Sequence, residues 1–209
     1  MDDQVTIEKG ARRDPKRMGS ELRRDQLLDA AARLIVVQGF LPLPIEGLAR
    51  SAEVSKALIY VHFPTQYDLA NAILAREVDA LFAAGLDAAS RGEDLEKVAV
   101  ECAAIYFEHV RRCGPLLNII LSDLYMARRH DREIIRRRDA VMRRLVRLAR
   151  RRIRLPVDEI VAGLNIILAI PEEAGALAFL GEIDTSLARD MCRMLTVSAI
   201  KGLAAGAKL

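Results

Sequence analysis

The sequence predicts an all-α protein of about nine helices, and three observations point to that fold class. Aromatic residues make up only 4% of the 209 residues and Trp is absent, whereas Ala, Leu, Ile and Arg are abundant, a balance that favours helices over sheets. Apolar residues recur at helical spacing through most of the chain. Short breakers containing Gly, Pro or Asp separate these stretches. We therefore expect a three-helix head, a connecting fourth helix and a five-helix body.

The N-terminal region divides into an arm and a first helix. Residues 1–19 lack apolar periodicity and carry four acidic and five basic side chains, so we expect a flexible arm. From Ser20 the apolar residues follow a helical period, and Gly39 is a suitable C-terminal cap, which predicts the first helix. Two prolines within residues 41–44 then indicate a connector.

The next stretch is typical of a helix-turn-helix. A short helix is expected from Pro44 to about Ser51, followed by a tight turn at residues 52–54. Ser55 is a good N-cap for a second short helix that reaches about Phe63. Two short helices joined by a three-residue turn predict a helix-turn-helix unit. Thr65 then caps a fourth helix, which extends to about residue 84.

Long periodic segments predict the body helices at about 94–112, 115–128, 131–153, 157–180 and 185–205. The last two are the most apolar, and small residues within them would allow close helix packing. Pro171 is expected to kink the helix at 157–180. Glu172 and Glu173 follow it, and they are either interface partners for arginines or pocket carboxylates for a cationic effector.

Two motifs with fixed spacing cover about 47 residues of the head. The first lies on the first helix and the second on the helix-turn-helix. The matching residues are Arg24, Leu27, Leu28, Ala30, Ala31, Leu34, Gly39 and Phe40, then Ile45, Leu48, Ala49, Ala52, Val54, Ser55, Lys56, Ile59, Tyr60, His62, Phe63, Asp68 and Leu69. In this order they resemble the TetR-type family of bacterial transcriptional regulators.

The resemblance implies a homodimer whose heads enter successive major grooves of a palindromic double-stranded DNA operator. It also implies that a small effector binds the body and releases the DNA, so we expect a repressor. The corresponding domains are a flexible arm at 1–19, a helix-turn-helix DNA-binding domain at 20–66, and an effector-binding and dimerisation domain at 67–209. The dimer would form through the last two helices.

The resemblance further implies which residues contact DNA. In the head these are Arg23, Arg24, Ser55, Lys56, Ala57, Tyr60, Val61, His62 and Thr65. Basic residues of the arm could reach the flanking backbone or minor groove, and these are Arg12, Arg13, Lys16 and Arg17.

The head also departs from the family pattern. Leu43-Pro44 replace a Thr pair, Glu53 replaces the turn Gly, Leu58 replaces Thr or Ser, and Gln66 replaces a phosphate-contacting Lys. Residues 1–67 hold ten basic and nine acidic side chains, so we expect modest operator affinity with a shallow salt dependence. The alternative is a ligand-binding or adaptor protein of the same fold with weakened or lost DNA recognition.

The net charge of +3 conceals one strongly basic segment. Thirteen arginines and three acidic residues lie between Arg128 and Arg154, which gives this segment a net charge of +10. Two interpretations are open. The arginines form a solvated face or pair with acidic groups of the protein, or they bind an anionic effector or the DNA backbone.

Polar and aromatic residues at helical spacing are candidates for an effector pocket in the body, although each could equally have a core or surface role. These candidates are Tyr106, Phe107, His109, Asn118, Tyr125, Met126 and Asn165.

Several classes of protein are not expected. The chain has no nucleophile, phosphate-loop or dinucleotide motif, so we expect no enzyme activity and no cofactor. His62, His109 and His130 show no spaced set of Cys or carboxylates, so we expect no metal site. Three cysteines without C-x-x-C spacing suggest reduced thiols. The N-terminus lacks an apolar stretch and residues 160–170 are too few to span a bilayer, which predicts a cytoplasmic protein without a membrane partner.

Overall fold

The computed structural model describes residues 15–206, and within that range the chain is helical throughout, with no strand. A 3-10 helix covers Leu124–Met126. The ten α-helices of this range are α1 (Pro15–Gln38), α2 (Ile45–Ser51), α3 (Lys56–His62), α4 (Gln66–Ala83), α5 (Leu86–Ala89), α6 (Leu95–Cys113), α7 (Leu116–Ser122), α8 (Arg132–Ala149), α9 (Val157–Leu180) and α10 (Thr185–Ala205). The predicted all-α class is confirmed, with one more helix than expected.

Helix α1 begins earlier than predicted, at Pro15, so residues 15–19 are helical and do not belong to an arm. Residues 19–26 are all exposed, and this part of the helix therefore buries no apolar stripe that periodicity could reveal. Proline also suits the first position of a helix. The rest of the predicted arm, with Arg12 and Arg13, lies outside the described residues.

The chain between α4 and α8 is more broken than its periodicity predicts. Gly85 has a positive φ of 98°, and the one-turn helix α5 follows it. The helix predicted at 115–128 ends at Ser122 because Asp123 has extended backbone. The Asp123 carboxylate accepts hydrogen bonds from the backbone N–H groups of Leu41 (2.9 Å) and Tyr125 (2.8 Å). A contact with the head therefore fixes this break.

The head and the body share their largest apolar core. Buried residues of α1–α4, such as Leu27 and Ile73, belong to the same cluster as Leu116, Ile120 and Met126 of the body. Helix α4 contributes to the head and also packs against α6, α7 and α8. The head and the body are therefore in direct contact through packed side chains.

Helices α6, α9 and α10 form the most extensively packed group of the body. Gly175 of α9 lies so close to Val110 of α6 that a β-carbon there would be 2.7 Å from the valine, which explains the small residue. Pro171 lies inside α9 and is buried. Exposed apolar residues form a stripe on α9 and another on α10, and we call the two stripes together the C-terminal apolar face. Its residues are Ile166, Leu180, Leu187, Met191, Met194 and Leu195.

Helix α9 has 24 residues and is apolar and long enough to cross a membrane, by length and composition only. Residues 160–170 alone were expected to be too few to span a bilayer, whereas the helix that contains them continues through Pro171 and both following glutamates, as predicted for 157–180. Core helices of soluble proteins meet the same criterion. Here α9 packs against α6 and α10, and it contributes Ile166 and Leu180 to the C-terminal apolar face.

Candidate nucleic-acid interface

Helices α2 and α3 form the predicted helix-turn-helix. Leu48 of α2 and Ile59 of α3 are buried in the head, which sets the angle between the two helices. In the turn, Glu53 has a positive φ of 54°, the left-handed conformation that favours glycine. This is the position where the family pattern has Gly, so a less favourable residue takes the left-handed conformation here.

Helix α3 presents an open face to solvent. Lys56, Ala57, Tyr60 and Val61 are exposed and recur one turn apart, so they lie on one side of the helix, and we call them the α3 face. The exposed fraction is 48% for Tyr60 and 75% for Val61. An exposed tyrosine and valine on a short helix, anchored from behind by Ile59, form a surface suited to the floor of a major groove.

Lys56, at the start of the α3 face, forms an ion pair with Glu46 of α2, and both side chains are largely exposed. The hydrogen bond from Lys56 lowers the pKa of the Glu46 carboxyl. A DNA phosphate would have to compete with this carboxylate for the ammonium group. The pair therefore reduces the positive charge that the head offers to DNA.

Two of the predicted DNA contacts also cap helices. The Ser55 hydroxyl accepts a hydrogen bond from the backbone N–H of Leu58 (3.2 Å), and the Thr65 hydroxyl accepts one from the backbone N–H of Asp68 (3.1 Å). Asp68 in turn accepts from the backbone N–H of Thr65 at 2.9 Å, which completes a capping box. Both hydroxyls therefore order the ends of helices that adjoin the α3 face.

Arg23 and Arg24 are exposed on α1, as expected for residues that contact DNA. The Arg24 guanidinium lies 5.1 Å from the centroid of the Phe63 ring, a cation–π distance. Phe63 itself is buried, so its role is in the core of the head. His62 is half-buried, and its ring centroid lies 6.3 Å from that of Phe63.

Gln66 has a structural role that the sequence did not reveal. Its side-chain oxygen accepts a hydrogen bond from the Leu43 N–H (2.7 Å), and its side-chain nitrogen donates one to the Leu43 carbonyl (2.9 Å). Leu43 is buried in the core of the head. The residue that stands where the family has a phosphate-contacting Lys thus ties the connector before α2 to the start of α4.

We expect the Gln66→Ala substitution to lower the free energy of unfolding by about 1–3 kcal/mol, because two partly buried backbone groups of Leu43 lose their partner. Urea denaturation followed by circular dichroism measures the change. Gln66→Glu is the matched variant, since it keeps the side-chain length but cannot donate to the Leu43 carbonyl. A wild-type midpoint for Gln66→Ala would show that water replaces the side chain at no cost.

A pair of stacked rings and two hydrogen bonds join α4 to the segment that precedes α8. The rings of Tyr67 and Tyr125 stack with centroids 4.6 Å apart. The Asn71 side chain donates to the Arg129 carbonyl (2.9 Å) and accepts from the Asp131 N–H (2.9 Å). The segment that precedes α8 is therefore fixed to α4, the helix that immediately follows α3.

The structure does not bring the predicted effector residues together. Phe107 and Met126 are fully buried in two different apolar clusters, Tyr125 is stacked against α4, and Asn118 and Asn165 are exposed. Neither asparagine therefore faces the interior of the body.

Tyr106 and His109 are the interior polar candidates. The Tyr106 hydroxyl donates a hydrogen bond to Glu172 of α9, and burial raises the pKa of that carboxyl. Within the described residues of the single chain, the hydrogen-bond partner of Glu172 is therefore a tyrosine. His109 lies beside Glu77 and Cys113. The expectation that no histidine has a set of potential metal ligands therefore does not hold for His109, because α4 supplies a carboxylate that is distant in sequence.

The arginine-rich segment is paired in part within the chain. The guanidinium group of Arg137 on α8 lies over the Phe82 ring of α4, 4.7 Å from the ring centroid. Several arginines around the end of α8, including Arg147 and Arg150, stay exposed. Four arginines lie within 4 Å of carboxylates, in the pairs Arg136–Glu133 (3.0 Å), Arg137–Asp79 (2.7 Å), Arg138–Asp139 (3.1 Å) and Arg144–Asp87 (2.7 Å).

The head matches a known family of DNA-binding domains. Residues 27–73 match the model of the bacterial regulatory proteins of the tetR family. Over 103 residues the chain is 33% identical to the HTH-type transcriptional activator FasR of Mycolicibacterium smegmatis, a match that covers 48% of this chain and 47% of that protein. The matched part thus spans about half the length of this curated relative.

Solved structures share the fold over most of the chain. The regulator PfmR of Thermus thermophilus has a TM-score of 0.64 at 19% identity, over 85% of this chain and 98% of that one. FadR of Bacillus subtilis, solved in complex with stearoyl-CoA, has a TM-score of 0.61 at 15% identity, over 84% and 98% of the two chains. A TetR-like regulator from a Rhodococcus species has a TM-score of 0.60 at 21% identity, over 86% and 96%.

Proposed function

We propose that this protein, whose residues 27–73 match the bacterial regulatory proteins of the tetR family, is a sequence-specific DNA-binding transcriptional regulator that works as a homodimer in the cytoplasm. The observation that carries the proposal is the α3 face. It is a short, exposed helix face that begins at a capped N-terminus and holds Lys56, Tyr60 and Val61. Such a face can place side chains against base edges while backbone N–H groups approach phosphate.

The C-terminal apolar face supports the dimer. In α10 the exposed residues Leu187, Met191, Met194 and Leu195 follow the spacing of a single helical stripe, and α9 adds Ile166 and Leu180. A contiguous apolar patch of this kind is costly to leave in water. Pairing with the same face of a second copy would bury it as a four-helix bundle and would carry two heads. Two heads on one palindrome supply the affinity that one short helix lacks.

We place the effector contact in the body, near the pair formed by Tyr106 and Glu172. Glu172 Oε1 is buried and has no hydrogen-bond partner among the described residues, so a donor group of a ligand could satisfy it. These residues lie between α6 and α9, and α6 also packs against α4. A ligand at this position could therefore shift the helix that follows the head. The direction of regulation that we propose is repression, relieved by the ligand.

Binding to DNA tests the proposal. The purified full chain should bind a palindromic fragment from its own upstream region at low salt, at least about 1,000-fold more tightly than a scrambled fragment of equal length. Fluorescence anisotropy over a range of salt concentrations measures the affinity, and the near-neutral head predicts a shallow slope. Equal affinity for both fragments would contradict the proposal and support the ligand-binding or adaptor alternative.

A further inference from the structure

Three groups that bind metals well meet where α4 packs against α6. Glu77 lies on α4, and His109 and Cys113 lie one turn apart on α6. Their nearest ligand atoms, a carboxylate oxygen, a ring nitrogen and the thiol sulfur, all lie within 4.8 Å of one another. Residues four apart on a helix project from the same side, so α6 presents the imidazole and the thiol together toward the carboxylate of α4.

His109 is the most unusual member of this cluster. Its side chain is only 2% exposed, and neither of its ring nitrogens forms a hydrogen bond with any residue that the structure describes. Nε2 lies 3.4 Å from Oε2 of Glu77 without hydrogen-bond alignment. Buried polar side chains in folded proteins nearly always have a partner. The ring therefore offers an unused ligand atom inside the cluster.

The Glu77 carboxylate is held so that one oxygen stays available. Arg76 contacts Oε1 through two nitrogens, each at 3.0 Å, and the same guanidinium binds Asp29 of α1 at 2.6 Å. Oε2 is the oxygen that faces His109. A charged group that fixes the far oxygen of a carboxylate is the usual outer partner of a metal ligand.

We propose that Glu77, His109 and Cys113 bind a divalent transition metal, Zn²⁺ in the cell. Nitrogen, oxygen and sulfur donors together suit Zn²⁺, and the ligand atoms of a tetrahedral zinc site lie roughly 3.3–3.7 Å apart. The 3.4 Å between Nε2 and Oε2 already fits this spacing. A small rotation of the Cys113 side chain would close the set, and water or a further ligand would take the fourth position.

The charges of the three ligands would balance those of the metal. When Zn²⁺ binds, the S–H bond breaks, the proton goes to solvent and a Zn–S bond forms. The thiolate and the carboxylate then balance the two positive charges of the metal, so the buried site becomes neutral.

The position of the site suggests that the metal has a regulatory effect. This effect rests on the proposed function as a DNA-binding regulator, whereas the binding of the metal does not depend on that function. Glu77 is on the helix that follows the helix-turn-helix, and Arg76 connects the site to Asp29 of α1. A metal that joins α4 to α6 would hold the head in one orientation relative to the body. We expect Zn²⁺ therefore to change the affinity for DNA.

Titration of the tag-free, reduced full chain with Co²⁺, followed by Zn²⁺ competition, tests the proposal. We expect one Co²⁺ per chain, a thiolate-to-cobalt charge-transfer band, and visible bands of tetrahedral intensity that Zn²⁺ removes. Cys113→Ser should lose the charge-transfer band and bind at least about tenfold more weakly. Cys102→Ser and Cys192→Ser are matched controls, because both thiols are buried outside the cluster, and they should keep the band.

His109→Gln is a second variant, and it separates a loss of metal binding from a loss of folding. Circular dichroism measures the folding of this variant independently of the titration. It should keep the wild-type helix content and weaken Co²⁺ binding. A charge-transfer band that persists in Cys113→Ser, or the absence of stoichiometric binding by the folded wild-type chain, would overturn the site. Because the titration contains no DNA, its failure and a failure of DNA recognition are separate results.

Discussion

Val61→Glu should reduce the affinity for operator DNA at least about a hundredfold, because it places a carboxylate on the α3 face, close to the phosphates and the groove floor. A like charge at an interface costs several kcal/mol, and about 2.7 kcal/mol corresponds to a hundredfold change in the dissociation constant. Val61 is 75% exposed, so the substitution should leave the free energy of unfolding nearly unchanged. Fluorescence anisotropy with the palindromic fragment measures the loss.

The matched control for this experiment is Val157→Glu. Val157 is 45% exposed and begins α9, which packs against α6, α8 and α10 of the body, so the same gain of charge occurs away from the α3 face. We expect wild-type affinity for this variant. If both variants lose affinity equally, the loss would reflect net charge alone and the assignment of α3 as the DNA-reading helix would be wrong.

The double substitution Leu187→Glu, Met194→Glu should convert the proposed homodimer into a monomer. The two residues lie on the same stripe of α10 in the C-terminal apolar face, and the symmetry of a dimer would bring in four new carboxylates. Burying an unpaired charge against apolar side chains costs several kcal/mol, so the dissociation constant of the dimer should rise at least about a hundredfold. Sedimentation equilibrium measures this change directly.

Met194→Leu is the conservative control, since it keeps the apolar surface and should remain dimeric. The double variant should retain its helix content, because both side chains are exposed in the single chain. It should also lose most of its affinity for the palindrome, since one head makes too few contacts. A double variant that stays dimeric would place the interface elsewhere on the chain.

Local patterns were reliable predictors wherever a helix has an apolar stripe and a recognisable cap. The predicted starts at Lys56 and at Thr65 agree with the structure, because Ser55 and Thr65 satisfy backbone N–H groups within their own helices. The start of α1 was misplaced because residues 19–26, near its beginning, are all exposed. The end of α7 was misplaced because Asp123 binds the backbone of Leu41, which lies 82 residues away.

For the candidate sites, too, local patterns predicted some features, and contacts between distant segments decided others. The structure exposes the α3 residues that the family motif implied as DNA contacts, because a motif on one short helix has a fixed orientation relative to the buried side of that helix, and their contact with DNA stays a prediction. The roles of Gln66, Glu172 and His109 were not foreseen. Each depends on a partner from another segment, namely Leu43, Tyr106 and Glu77.

The sequence by itself determined most of the helices, the helix-turn-helix and the resemblance of the head to the tetR family, since these depend on spacing within short segments. Only the tertiary structure decided that head and body share one apolar core, and that Glu77 meets His109 and Cys113 between α4 and α6. It also showed that the Glu172 carboxylate faces a tyrosine. The physical reason is that packing brings together groups that are far apart in the chain, and no local period or cap records which of them will meet.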